Sequence, residues 1–308
     1  MRITGFRPHW SQLISTALLA SLTVVAAPQL ARSQAPPELS PASADTSAAI
    51  DALEMGLAEI QAENLPGAIA AFQQAAALEP NLAPAHYNLG LALRQSGDLQ
   101  GAATAFYQAI QADPQFAMAY ANLGAALLEG QNLAQAQDYL QRAVQLDATV
   151  GLAHYNLGLV QQQLGELPAA TLSFRRAAQL THHAPEPYYH LGISYLSQGN
   201  LADAKTALET AIARYPAYAE AHYSLGLIFY QNGEFDAALD AFRAASTANS
   251  NYANAYYAAG LVFLEQQQYG QAREVLTHAQ NLFAQQGNQA WANRTATHLS
   301  QLPPVGGS

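Results

Sequence analysis

The chain has 308 residues, half of them hydrophobic and 11% charged, with 12 basic against 22 acidic side chains and a formal net charge of −10. So acidic a surface, with Lys205 as its single lysine, repels nucleic acid and anionic lipid, whose binding needs clustered Lys and Arg. There is no cysteine, which excludes disulfides, lipoprotein attachment and thiol catalysis while remaining compatible with an oxidising compartment.

Arg2 and Arg7 precede an uncharged apolar run over 13–27, and Ala31-Arg32-Ser33 then sets small residues one apart. That is the pattern of a secretory signal peptide over 1–33, cleaved after Ser33. A cut after Ala27 is disfavoured because Pro28 would follow it. The alternative is an N-terminal membrane anchor through 13–27, although 15 residues are few for a hydrocarbon core of roughly 30 Å. The expectation is therefore an exported chain in a periplasmic or lumen-like compartment, or one tethered to a membrane. Cleavage removes three arginines and no acid, leaving 9 basic and 22 acidic residues, a net of −13. Residues 34–48, rich in Pro, Ala and Ser, read as a flexible linker without a core.

Beyond the linker one glycine recurs at Gly56, Gly90, Gly124, Gly158, Gly192, Gly226 and Gly260, every step being 34 residues. A fixed period of this length marks a repeat array. Twelve residues after each glycine stands Ala68, Ala102, Ala136, Ala170, Ala204, Ala238 or Ala272, and nineteen after it Ala75, Ala109, Ala143, Ala177, Ala211, Ala245 or Ala279. Sixteen after it comes Phe72, Phe106, Leu140, Phe174, Leu208, Phe242 or Leu276. Spacings of four and three put these on one face of a second helix. Turns such as Ser96-Gly97-Asp98, Leu164-Gly165-Glu166, Gln198-Gly199-Asn200 and Asn232-Gly233-Glu234 separate it from the first helix, and Pro80, Pro114 and Pro216 close their units.

The array is expected over 49–286, as units 49–82, 83–116, 117–150, 151–184, 185–218, 219–252 and 253–286. A capping helix over 287–302 and a disordered tail over 303–308 follow. Glycine inside a helix is about 1 kcal/mol worse than alanine, so its return in every unit implies close approach of the paired helices. A single helical hairpin cannot bury its apolar face, so stacking is obligatory and the ends need caps. In the terminal helix Trp291 stands where units carry an aromatic and Arg294 where they carry glycine.

This pattern of aromatic, Leu-Gly, Ala, Phe or Leu, Ala and Pro resembles the tetratricopeptide repeat (TPR) across essentially the whole chain after the leader. Departures are local: Ala52 and Leu53 replace aromatics in the first unit, Ala259 replaces Leu in the seventh, and the fourth ends in His182 instead of Pro. The resemblance implies an all-α, right-handed α-solenoid of seven helix-turn-helix repeats with a capping helix, whose first helices line a concave groove for peptides or protein partners. On that inward face, two residues before each glycine, stand Asn88, Asn122 and Asn156, then His190, Ser224 and Ala258. Stacked asparagines at this place in similar arrays hold the backbone of an extended peptide, since a carboxamide offers both a donor and an acceptor. Three before the glycine stand Tyr87, Tyr155, Tyr189, Tyr223 and Tyr257, and one after it Leu57, Leu91, Leu159, Ile193, Leu227 and Leu261, which either bury apolar parts of a ligand or pack between helices. The carboxylate clamp of chaperone-tail binders needs Lys and Arg on this face, and the matching places hold tyrosines, leucines, asparagines, Met118, Leu152 and Glu220, so no such binding is expected.

His86, His154 and His222 alternate with Tyr120, Tyr188 and Tyr256 four residues before successive glycines. Being four helices apart, these histidines are on the order of 20 Å or more from one another and cannot share an ion. His182, His183, Glu186 and His190 form the one cluster with metal-ligating side chains, though their spacing matches no standard zinc site. No phosphate loop, nucleophile elbow or His-Glu-x-x-His pair occurs, so neither a catalytic residue nor a cofactor is expected. Asn293-Arg294-Thr295 matches a glycosylation acceptor but falls in the capping helix. The sequence reads as a non-catalytic interaction scaffold that binds an extended peptide or partner protein and aids complex assembly in the cell envelope. Metal-ion delivery to a client and a non-catalytic transferase subunit are the alternatives.

Overall fold

The computed structural model describes residues 44–303. The expected leader, most of the linker and the last residues of the tail lie outside them. All the described helices but the last pair into a series of antiparallel hairpins, and the chain divides into two compact units whose described parts are 44–181 and 182–303.

In the first unit the hairpins are α1 (Ala44–Gln61) with α2 (Leu65–Leu78), α3 (Ala83–Gln95) with α4 (Leu99–Ala112), α5 (Ala117–Glu129) with α6 (Leu133–Leu146), and α7 (Gly151–Gln163) with α8 (Leu167–Leu180). The second unit holds α9 (Glu186–Ser197) with α10 (Leu201–Arg214), α11 (Ala219–Gln231) with α12 (Phe235–Ala248), and α13 (Ala253–Glu265) with α14 (Tyr269–Gln285), followed by α15 (Gln289–Ser300). Helix α1 begins at Ala44, inside the stretch read as linker. Its early turns are held by Ala49, which is fully buried, and by the Thr46 hydroxyl donating to Glu79 Oε2 at 3.4 Å. Among the described residues no helix is long and apolar enough to cross a membrane.

Each hairpin turn is built the same way. The residue seven after the repeat glycine takes a left-handed backbone, as at Gly97 (φ 89°) and Gly165 (φ 79°), and the next amide reaches back across the helix end, Asp98 N to Leu93 O at 2.9 Å. This is the Schellman closure, which satisfies carbonyls that the helix end leaves open. Three turns place a non-glycine there, Glu63, Gln131 and Gln267, with φ of 57°, 60° and 60°. The second helix then opens on a polar residue, and Asp98 Oδ1 accepts from Gly101 N at 2.8 Å.

The repeat glycine sits where the paired helices approach most closely. A Cβ on Gly90 would lie 2.6 Å from the Phe106 ring, and one on Gly124 would lie 2.5 Å from Leu140 Cγ. The ring or isobutyl group of the second helix therefore occupies the volume that any side chain would need. The size of that group is matched elsewhere in the hairpin. Where Phe106, Phe174 and Phe242 fill the gap, His86, His154 and His222 stand four before the glycine; where Leu140, Leu208 and Leu276 fill it, Tyr120, Tyr188 and Tyr256 stand there. From the second hairpin to the seventh, these two positions therefore alternate together, with a period of two hairpins. The three histidines also make one common bond, Nε2 to the carbonyl of Pro80, Ala148 or Pro216 at 2.9, 3.1 and 2.8 Å, tying a first helix to the loop that precedes it.

Helix α15 closes the second unit. Trp291 stacks on Phe283 with centroids 5.7 Å apart and meets Tyr257 edge-on at 5.2 Å, while the Arg294 guanidinium lies 5.1 Å from the Trp291 ring centroid. Among the described residues no second helix presses against Arg294, which stands where the hairpins carry glycine.

Candidate functional site

The first helices present, along one face, the residues three and two before each glycine and one, four and five after it. Those offsets differ by three or four and so share a helix face. In the first unit Asn88, Asn122 and Asn156 are buried, at 8%, 3% and 1% relative exposure. Asn88 Nδ2 donates to Pro84 O at 2.8 Å and Asn122 Nδ2 to Met118 O at 2.9 Å, each the carbonyl one turn back in its own helix. Asn122 Nδ2 also lies 3.1 Å from Tyr87 Oη, joining α5 to α3. The other halves of two carboxamides are unspent: Asn88 Oδ1 and Asn156 Nδ2 are buried without a hydrogen-bond partner, as is Nε2 of Gln162 four residues after Gly158.

The tyrosines on this face are committed to packing, each against the second helix of its own hairpin or the start of the next hairpin. Tyr87 packs against Phe106 at 5.8 Å and against Phe116, the residue that caps the next first helix, at 4.8 Å. Tyr155 meets Phe174 at 6.0 Å. In the second unit Tyr189 meets Tyr218 at 4.9 Å, Tyr223 meets Phe242 and Tyr252 at 5.8 and 5.3 Å, and Tyr257 meets Phe283 at 6.3 Å. Of the two roles the sequence left open for these rings, packing between helices is the one the geometry supplies. Burial pushes the Tyr87 phenol up to about 12, partly opposed by the bond from Asn122 and by the nearby Arg94 charge.

Four and five after the glycine lie residues that the motif reading passed over. Arg94 Nε donates to Glu129 Oε1 at 2.9 Å, and Nη2 converges on the same oxygen; the two side chains are 12% and 18% exposed. The same offsets in the second unit carry Tyr230 and Glu265, whose hydroxyl and carboxylate lie 3.5 Å apart. Burial, and then the Glu265 charge, raise the Tyr230 phenol. The spacing of four from Gly90 was legible in the sequence, so these pairs could have been found by extending the inward face one more turn.

The histidine cluster does not assemble. His182 and His183 are exposed, Glu186 is half-buried, and His190 is buried at 2% exposure with its ring edge-on to Tyr189 at 5.2 Å. Burial holds the His190 imidazole down to about 3, so the ring is neutral across the physiological range. Among the described residues no group of three or more His, Asp or Glu side chains is placed to hold a metal ion. A cleft of about 450 Å³ lies between α13 and α14, lined by Tyr256, Glu274 and His278 among others, with Tyr256 and His278 edge-on at 4.4 Å.

Three family models, each described as tetratricopeptide repeat, match the chain: one over 53–117, 189–253 and 229–290, a second over 93–157 and a third over 151–171. No curated protein matches it in sequence. Among solved structures, PilF of Pseudomonas aeruginosa is similar with a TM-score of 0.61 at 18% identity, over 73% of this chain and 99% of that one. A tetratricopeptide repeat protein from Parabacteroides merdae gives 0.59 at 17% identity, over 81% and 99%. YrrB, described as a TPR protein with an unusual peptide-binding site, gives 0.54 at 24% identity, over 63% and 99%. At these identities the likeness is one of fold.

Proposed function

Because the chain belongs to the tetratricopeptide repeat family, we propose that it is a non-catalytic protein-interaction scaffold whose first-helix face in the 44–181 unit binds an extended segment of a partner protein. The observation that supports this is the set of unspent carboxamide groups: an acceptor at Asn88 Oδ1 and donors at Asn156 Nδ2 and Gln162 Nε2, all buried. A buried polar group without a partner costs about 1–3 kcal/mol, and a passing peptide supplies both the N–H and the C=O that these atoms lack. Recognition of this kind reads the backbone and tolerates many sequences. The tyrosines stand behind the contact, holding the hairpins in register.

The test is affinity capture from an envelope fraction, comparing the wild type with Asn88→Ala, Asn122→Ala, Asn156→Ala of unchanged helicity. Loss of a defined polypeptide from the triple variant is expected; identical capture by both proteins sinks the reading. A tightly held metal ion in the purified protein, or a catalytic polypeptide co-purifying with it, would favour metal delivery or a transferase subunit instead.

The envelope location rests on residues 1–33, with their arginines, apolar run and small-residue cleavage site. Mass spectrometry of the native protein is expected to find a chain beginning at Gln34; an intact N-terminus in a membrane fraction would favour the anchor.

A further inference from the structure

Arg94 and Glu129 form a cation–anion pair that links two hairpins, whereas the pairs of Lys205 with Glu209 and Arg243 with Asp240 are exposed and lie within single helices. The linking pair is also incompletely bonded. Arginine and carboxylate commonly meet fork to fork, with two donors on two oxygens. Here both Nε and Nη2 go to Oε1, and neither Arg94 Nη1 nor Glu129 Oε2 makes a hydrogen bond among the described residues. The pair thus keeps a charged donor and a charged acceptor that no protein group has taken, on the same broad face as Asn88.

We propose that this pair is a specificity pocket for the neutral carboxamide of a glutamine or asparagine in the bound segment, its carbonyl accepting from Arg94 Nη1 and its amide donating to Glu129 Oε2. This rests on the peptide-binding reading of the first-helix face. The electrostatics decide the class of side chain. A ligand carboxylate reaching Arg94 would face Glu129, and a ligand ammonium reaching Glu129 would face Arg94. Either ion would meet a like charge within the pair, whereas a carboxamide satisfies both groups without separating them. An aliphatic side chain would cover both charges and supply neither bond, which is disfavoured for groups already largely withdrawn from water. The pair also fixes register. At the offset of Arg94 the next two hairpins carry Leu128 and Gln162, so only one station in the unit combines both charges.

The test uses the full chain without its leader and four nonapeptides, acetylated and amidated, with a Ser/Thr/Ala background and Gln, Glu, Lys or Leu at the centre. Affinities are read by fluorescence anisotropy. The Gln peptide is expected to bind about tenfold more tightly than the other three, as for a site whose paired polar groups the competitors leave unmet. Glu129→Gln leaves Arg94 without its counter-ion and should shift the preference to the Glu peptide. Arg94→Gln leaves Glu129 without its counter-ion and should widen the discrimination against the Glu peptide while improving binding of the Lys peptide. Equal binding of all four peptides, or an unchanged preference in Glu129→Gln with native circular dichroism, overturns the pocket. If binding is equal yet is lost in Asn88→Ala, Asn156→Ala, the backbone-reading face stands and only the pocket falls. If none of the peptides binds, both readings fall.

Discussion

The sharpest consequence of the packing concerns the repeat glycines, because the same substitution should have opposite signs at two sites. At Gly90 an added Cβ lies 2.6 Å from Phe106 Cδ1 and Cε1, while ordinary carbon contacts begin near 3.5 Å. The ring, itself fully buried, would have to retreat by about 1 Å into a filled core. Such overpacking costs about 1–3 kcal/mol, against which alanine returns about 1 kcal/mol of helix propensity. Gly90→Ala is therefore expected to destabilise by about 1 kcal/mol, and by as much as about 2 if the ring cannot tilt. At Gly270, near the start of α14, a Cβ would meet nothing within 4 Å and the backbone is not left-handed, so Gly270→Ala should stabilise by up to about 1 kcal/mol. Urea unfolding of the full chain, followed by far-ultraviolet circular dichroism, separates the two variants by midpoint. If Gly90→Ala proves as stable as Gly270→Ala, close helix approach is not the reason for the repeat glycine.

Gln267→Gly relieves a left-handed backbone at φ 60° and should raise stability by about 1 kcal/mol, whereas Gly97→Ala at φ 89° should lower it by a similar amount; the same urea midpoints check both. Tyr87→Phe removes the hydroxyl beside Asn122 Nδ2 and should cost about 1 kcal/mol, with no change in helix content by circular dichroism. Acid should weaken the fold through His190. Its imidazole is held down to about 3 by burial, so the neutral form it stabilises is fully present above about pH 6.5 and the contribution is lost as pH falls from there toward 3. His190→Gln should flatten the fall in urea midpoint over that window, and an unchanged slope would mean the ring gains a counter-charge as it protonates.

The fold was legible because its determinants are local and repeated: the glycine, the alanines twelve and nineteen after it, and the aromatic or leucine between them each name a contact found in every hairpin. The turns were legible only where glycine marks them. Glu63, Gln131 and Gln267 take the same left-handed conformation without the residue that advertises it, because the Schellman closure on either side imposes the backbone. Much of the candidate site was less legible, for a reason of direction. A residue two or three before the glycine shares a helical face with residues four and five after it, but only contacts between hairpins tell which of these meet. Tyr87 and Asn122 are 35 positions apart, as are Arg94 and Glu129, one repeat and one residue. That offset is invisible to a reading confined to single units. The start of the first helix was hidden for a related reason: Ala44 to Ala48 carry no repeat signature, yet they form the first turns of α1, where Thr46 bonds to Glu79 and the adjoining Ala49 is buried.

The two-hairpin alternation suggests how such an array keeps a common backbone while varying its surface. From the second hairpin to the seventh, histidine accompanies phenylalanine and tyrosine accompanies leucine, while the repeat glycine is kept in every hairpin. The same alternation reappears four residues after the glycine, where Arg94, Gln162 and Tyr230 are polar and Leu128, Leu196 and Leu264 are apolar. Interior and face therefore change together with a period of 68 residues, twice the repeat. A segment bound along such a face meets polar stations only at every second hairpin, with apolar ones between. On the proposed reading, the polar residue at the Arg94 station supplies specificity, while the carboxamides supply an affinity indifferent to sequence. That division gives side-chain recognition in the first unit to Arg94 with Glu129, and backbone recognition to Asn88, Asn156 and Gln162.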